Sequence, residues 1–191
     1  MSDINIQPDG SAAPQGYSLK NDVFEWMEAI VFSLSFVVLL FTFVFRIVGV
    51  DGTSMLNTLQ NGDRVVISDI NYTPKRGDII VLSTKAVEKP IIKRVIATEG
   101  QRIDIDYVTH TVTVDGKALS EPYIAEPTVF QGQNPVSLPA TVPKGHVFVM
   151  GDNRNYSLDS RSSSIGMIDD RYILGRAVFR IFPFSGFGFL K

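Results

Sequence analysis

THTVTVDGKALS, residues 109–120, alternates Thr and Val and then runs into Asp115-Gly116. Alternation with a period of two puts successive side chains on opposite faces of a strand. An Asp-Gly pair suits the two-residue type I′ turn of a hairpin, so the segment reads as a β-ribbon, with His110 as a residue of its surface. The same pattern extends outward in both directions. RVVISDI (64–70), DIIVLST (78–84), PIIKRVIAT (90–98), RIDIDYV (102–108), HVFVMGD (146–152) and RAVFRIF (176–182) are short runs rich in Val, Ile and Phe, separated by Gly, Pro, Asp and Asn. No useful helical period interrupts them, so the expected fold class is mainly β, built of antiparallel sheets. EPYIAEPTVFQGQNPVSLPATVPKG (121–145), with five prolines, reads as an irregular excursion between core strands.

A chain of 191 residues, 45% of them hydrophobic, is long enough for one domain with a real core and an appendage. Its formal charge of -2 leaves no electrostatic footprint for nucleic acid. The absence of cysteine excludes disulfides, zinc-thiolate sites and a cysteine nucleophile, and permits folding in an oxidising compartment.

The appendage is AIVFSLSFVVLLFTFVF, residues 29–45, which carries no charge. Continued past Arg46 through IVGV, it reaches the ~20 residues that span ~30 Å of hydrocarbon. Thirteen of its seventeen residues are Leu, Ile, Val or Phe, so insertion gains about 5 kcal/mol before small Ser and Thr penalties. A buried core helix is the competing reading. A cleaved signal peptide would have a shorter apolar core behind a short basic leader, whereas here the leader is 28 residues long and acidic on balance. The expected organisation is a tail and interfacial segment over 1–28, a transmembrane anchor over 29–50 and a β domain over 51–191. The first eighteen residues read as disordered, being rich in Pro, Gly and Ser. Trp26, with Val23, Phe24, Met27 and Ile30 at helical spacing, reads as an interfacial collar. Lys20 stands against Asp3, Asp9, Asp22, Glu25 and Glu28, so charge bias does not favour a cytoplasmic N-terminus.

Three clusters carry candidate chemistry. VDGTSMLNTLQNGD (50–63) sets Ser54 among small and apolar residues, a nucleophile in need of a base. The two histidines, His110 and His146, lie in no run resembling a triad motif. PIIKRVI supplies an alternative, because Lys93 interrupts an apolar strand. Such a lysine either snorkels at an edge or is a buried amine whose pKa falls because the charged form loses solvation. A fall to about 8 costs roughly 3 kcal/mol and leaves a usable base. GDNRNYSLDSR (151–161) reads as a loop tied by side-chain hydrogen bonds. A calcium loop would show alternating acidic positions, a central Gly and a terminal Glu, which this run lacks.

The order of anchor, TSMLNTLQNGD, KRVIATEGQ and GDNRNYSLDSR, closing with ILGRAVFRIFPF, resembles the bacterial type I signal peptidases from about residue 24 to the C-terminus. The resemblance implies a serine-lysine dyad, with Ser54 as nucleophile and Lys93 as general base. It implies that Ser157 hydrogen-bonds and orients the Lys93 amine, that Asp159 and Arg161 pair to brace the site, and that Asp152 and Arg94 form supporting framework. The Ser54 N–H is the implied first oxyanion donor. Some relatives place a serine two positions earlier as the second, and here that position is Gly52. Val50, Met55 and Ile92 are implied to line shallow pockets for small side chains at substrate positions -1 and -3.

The implied substrates are signal peptides of exported preproteins, cut after Ala-x-Ala. The implied location is the cell membrane, with the N-terminus cytoplasmic and the β domain outside. No metal and no cofactor is implied. The family usually has proline where this chain has Asn57, which leaves the nucleophile loop freer. An inactive relative acting as a binding module is one rival reading. A self-cleaving repressor-type peptidase is another, but it would need a DNA-binding domain in place of the anchor.

Overall fold

The computed structural model describes residues 19–43 and 45–190; the expectation of a disordered tail lies outside them. Two compact units appear, ending and beginning at residues 39 and 40. The first contains most of helix α1, Leu19–Phe43. Within that helix Asp22–Leu40 is, by length and composition, long and apolar enough to cross a membrane.

The anchor expected over 29–50 requires one correction. Arg46–Gly49 is strand β1, paired antiparallel with β2, Arg64–Ser68. Its Ile47 and Val48 extend the apolar run in sequence, so hydropathy alone could not separate them from the helix.

The second unit is mainly β. Beyond β1 and β2 the strands are β3 (Ile79–Leu82), β4 (Ile91–Thr98), β5 (Arg102–Asp106), β6 (Thr111–Val114), β7 (Lys117–Ala118), β8 (Ala140–Thr141), β9 (His146–Met150), β10 (Ile168–Asp169), β11 (Ile173–Phe182) and β12 (Gly188–Phe189). All pairings are antiparallel. One sheet runs β1-β2-β11-β3-β4-β9-β10, with β12 added to β11, and the other runs β7-β6-β5-β8.

Each run read as a strand contains one, β7 is the second arm of the ribbon read at 109–120, and the short β8, β10 and β12 were not legible. The ribbon at 109–120 turns as its residues require: Val114 pairs with Lys117 across Asp115 and Gly116, both at positive φ. His110 sits in the turn before β6 rather than on the strand, at φ 59, and its Nδ1 lies 3.2 Å from the Thr128 carbonyl oxygen.

β3 explains why some runs are apolar throughout. Ile79 and Val81 enter one core cluster with Val50, Met55 and Ile92, while Ile80 and Leu82 enter another with Val95 and Val149. A strand buried on both faces has no polar face to alternate. At the other end of the sheet, Ile47, Val66, Phe179 and Phe189 are register partners in one row across β1, β2, β11 and β12. The rings of Phe187 and Phe189 stand edge-on to Phe179 at 4.7 and 4.9 Å, and Phe184, Phe187 and Phe189 are exposed.

Candidate active site

Three segments converge. The connection from β1 to β2 carries Ser54, and its base is closed by hydrogen bonds from Val50 N to Asp63 O (2.8 Å) and from Gly62 N to Val50 O (2.9 Å). Met55 and Leu59, buried in the core on either side of a tight turn, pin the loop from within. The Leu56–Asn57 peptide in this loop is cis. β4 carries Lys93 and Arg94. The third segment, 151–161, leaves the end of β9. It reaches the nucleophile loop through Asn153, whose backbone N–H donates to Ser54 O and whose Nδ2 donates to Thr53 O, each at 3.0 Å.

Every residue of β4 from Ile92 to Ala97 is buried, and Lys93 is 3% exposed. Its Nζ lies 2.8 Å from Ser54 Oγ and donates to Ile92 O at 2.9 Å. Burial drives its pKa down to about 8, against opposing pulls from Asp159 and Asp152 and with a smaller contribution from Arg161. The amine is therefore half neutral near that pH and stands in contact with a hydroxyl it could deprotonate.

Two buried ion pairs hold the surrounding frame. Arg94 Nε and NH2 grip the Asp152 carboxylate at 2.8 and 2.7 Å, and Arg161 Nε and NH2 grip Asp159 at 2.8 Å each. Such two-pronged contacts fix orientation as well as charge. Asp152 also accepts the Thr58 hydroxyl, which ties the frame back to the nucleophile loop. Asp159 accepts Gly151 N at 3.0 Å. Ser157 departs from expectation. Its Oγ is buried without a hydrogen-bond partner among the described residues, so the expected bond to the Lys93 amine is not made here. It lies instead against Gly151, where an added Cβ would also come within 2.5 Å of Ser54 O.

Val50, Met55 and Ile92 share one buried cluster and line a cleft of about 40 Å³ together with Ser54 and Lys93. Gly52 brings no side chain to the site, and its N–H is taken by Asn61 Oδ1 at 2.9 Å.

Several residues escaped the sequence reading. Asn153 was within a run already singled out. Glu121 and Tyr123, in the Pro-rich excursion, gave no signal, yet Glu121 holds both prongs of the buried Arg154 at 2.9 and 2.6 Å. The Tyr123 ring lies 4.0 Å from the Arg94 guanidinium. His146 spends its Nδ1 on Lys144 O. Among the described residues no cluster of His, Cys, Asp and Glu could hold a metal.

The profile of the family described as signal peptidase, peptidase S26, matches residues 23–182. The signal peptidase I of Bacillus licheniformis is 36% identical over 174 residues, 87% of this chain and 92% of its own. The signal peptidase I T of Bacillus subtilis (strain 168) is 35% identical over 86% of this chain and 88% of its own. The probable signal peptidase I-1 of Synechocystis is 42% identical over 71% and 70%. A crystal structure of a signal peptidase I from Enterococcus faecalis V583 aligns with a TM-score of 0.45 and 28% identity, covering 55% of this chain and 97% of that one. The chain belongs to the signal peptidase family, peptidase S26, and is a peptidase.

Proposed function

We propose that this chain is a membrane-bound serine endopeptidase that removes signal peptides from exported preproteins, with Ser54 as nucleophile and Lys93 as general base. The observation that carries the reading is the 2.8 Å contact between a hydroxyl and a buried amine whose pKa lies near 8. The neutral amine takes the Ser54 proton as Oγ attacks the scissile carbonyl. The developing oxyanion meets the Ser54 N–H, and the ammonium returns the proton to the leaving amine. The same amine then activates the water that hydrolyses the acyl-enzyme. Arg94, Asp152, Asp159 and Arg161 hold the frame, and Ser157 stands ready beside the nucleophile.

Val50, Met55 and Ile92 are apolar and line the cleft that also holds Ser54 and Lys93. In this reading they take the small side chains at -1 and -3, as cleavage after Ala-x-Ala requires. Asp22–Leu40 supplies the span. In this reading the residues before it are cytoplasmic and the β unit is extracytoplasmic.

The test is a purified, detergent-solubilised protein incubated with a preprotein carrying Ala at -1 and -3. One cut after the -1 residue, lost when Leu replaces Ala there, is the expected result; no cleavage overturns the reading. Protease added to intact spheroplasts should digest the β unit and spare an N-terminal tag, and the reverse pattern overturns the topology.

A further inference from the structure

Asn153 reaches the nucleophile loop with two donors at once. Its backbone N–H donates to Ser54 O and its side-chain Nδ2 donates to Thr53 O, each at 3.0 Å. A carbonyl oxygen accepts only from the NH2 end of an amide, so the side chain has a single orientation here. Asn153 is itself buried, at 8% exposure. It holds the peptide unit on each side of the Ser54 Cα from a segment 100 positions beyond Thr53 in the chain.

The side-chain bond has a directional consequence. The Thr53–Ser54 peptide is trans, and in a planar trans unit the C=O and the N–H point in opposite directions. Holding Thr53 O towards Asn153 therefore turns the Ser54 N–H away from it. That N–H donates to no backbone carbonyl among the described residues, and Ser54 lines the cleft together with Lys93. Thr53 O also accepts from Leu56 N–H at 3.2 Å. That bond lies within the loop's own turn, so it shapes the loop without fixing it to the frame. A carbonyl that accepts hydrogen bonds polarises its peptide unit and strengthens the N–H at the other end. Gly52 N–H is spent on Asn61 Oδ1, which leaves more to the Ser54 N–H.

We infer that Asn153 is a positioning residue for the oxyanion site: through Thr53 O it aims the Ser54 N–H at the oxygen on which charge develops in the tetrahedral transition state. The inference rests on the serine peptidase reading above. The bonds of the Lys93 amine run to Ser54 Oγ and Ile92 O, and those of Asn153 to Ser54 O and Thr53 O. Aiming the donor and supplying the base are therefore separate tasks, done by separate residues.

The test uses Asn153→Ala and Asn153→Asp in the full-length, detergent-solubilised protein. Each is assayed on a peptide with Ala at -1 and -3 and on a peptide boronate of matching sequence, whose tetrahedral adduct with a serine places a charged oxygen where the oxyanion forms. Asn153→Ala should lower kcat by roughly 10- to 100-fold, less than the roughly 10²–10³ that loss of an oxyanion donor itself costs, with KM within about twofold of wild type. The boronate Ki should rise by the factor by which kcat/KM falls, because both report stabilisation of the transition state. The rise of kcat/KM with pH should keep its wild-type midpoint in Asn153→Ala, since the base is untouched. Asn153→Asp, equal in size, sets an acceptor against Thr53 O and should lose more activity than Asn153→Ala. Both should melt within a few degrees of wild type, because the Asn153 N–H and the Leu56 N–H keep their bonds. An unchanged kcat, a loss confined to KM, a shifted pH midpoint in Asn153→Ala, or a boronate Ki that stays at the wild-type value while kcat falls overturns the inference and leaves the peptidase reading intact. Collapse of the melting temperature in both variants does the same, by making Asn153 a structural residue. A wild type that neither cuts the peptide nor binds the boronate overturns both.

Discussion

Lys93 Nζ stands 2.8 Å from Ser54 Oγ although the two residues are 39 positions apart, one on a strand buried along most of its length and the other on a loop. Replacing either by Ala should abolish turnover while leaving a folded protein, as read by peptide cleavage and a thermal melt. Substantial turnover by either variant would remove the dyad.

The Lys93 amine, depressed by burial to about 8, sets the pH dependence. The base must be neutral, so kcat/KM should climb from pH 6 and level off above that pKa; a profile flat from pH 5 to 9 would exclude it. Stability moves in the same direction, over a higher pH window. The unfolded lysine keeps its proton up to about 10.4. As pH falls from there to about 8 the folded state is progressively penalised, and below that the cost is complete, at about 3 kcal/mol. Lys93→Met should therefore be inactive and melt higher than wild type at pH 7, with the difference shrinking as pH approaches 10. A lower melting temperature at every pH would contradict this.

Ser157 Oγ, buried without a hydrogen-bond partner among the described residues, makes no bond there for an alanine to lose. Its removal leaves no orphaned group behind, so Ser157→Ala should melt within a few degrees of wild type. If the hydroxyl turns to the amine once substrate is bound, the variant should lose kcat by about 10²- to 10⁴-fold, the range for a positioned proton-transfer group, with little change in KM. A kcat within twofold of wild type would show that Ser157 has no part in the chemistry.

Gly151 has no room for a methyl group, since Ser54 O would lie 2.5 Å from the added carbon. Gly151→Ala should push the nucleophile backbone aside and cut kcat at least tenfold. Adding Ser157→Ala should not restore it, because the Ser54 carbonyl remains in the way; full recovery in the double variant would show that only the serine side chain was displaced.

Asp152 is fully buried and neutralises the buried Arg94. Asp152→Ala removes the carboxylate that faces that buried cation and should cost about 3–5 kcal/mol in a denaturant melt. Arg94→Lys should also destabilise, because a point charge cannot replace a two-pronged fork. A loss below 1 kcal/mol for Asp152→Ala would mean that the guanidinium finds another partner.

Much of this was legible before any coordinates. Alternation and turn residues located the long strands because each is bounded by Gly, Pro or Asp and has enough residues for its period to be visible. β8, β10 and β12 have two residues each, too few to express a period, and exist because a longer neighbour offers them a ladder; β7, equally short, was legible only through the Asp115-Gly116 turn before it. β1 hid at the end of a hydrophobic run for the opposite reason: its apolar residues continue the composition of α1. Within the site, Lys93 was conspicuous as a charge in an apolar strand. Glu121 and Tyr123 were invisible, because the contact that matters to each is made across the fold by Arg154 or Arg94, and nothing local marks it.

The apolar row on β1, β2, β11 and β12, with its exposed rings at Phe187 and Phe189, affects how the protein must be handled. Cutting the β unit free of α1 would remove one apolar surface and leave another, with Phe189 80% and Phe184 81% exposed beside strands that end the sheet. Exposed rings next to unpaired strand edges are where sheets of separate molecules find one another. For such a fragment, colloidal behaviour and not melting temperature would set its useful life in solution, and dilution or a mild surfactant would preserve activity longer than cooling.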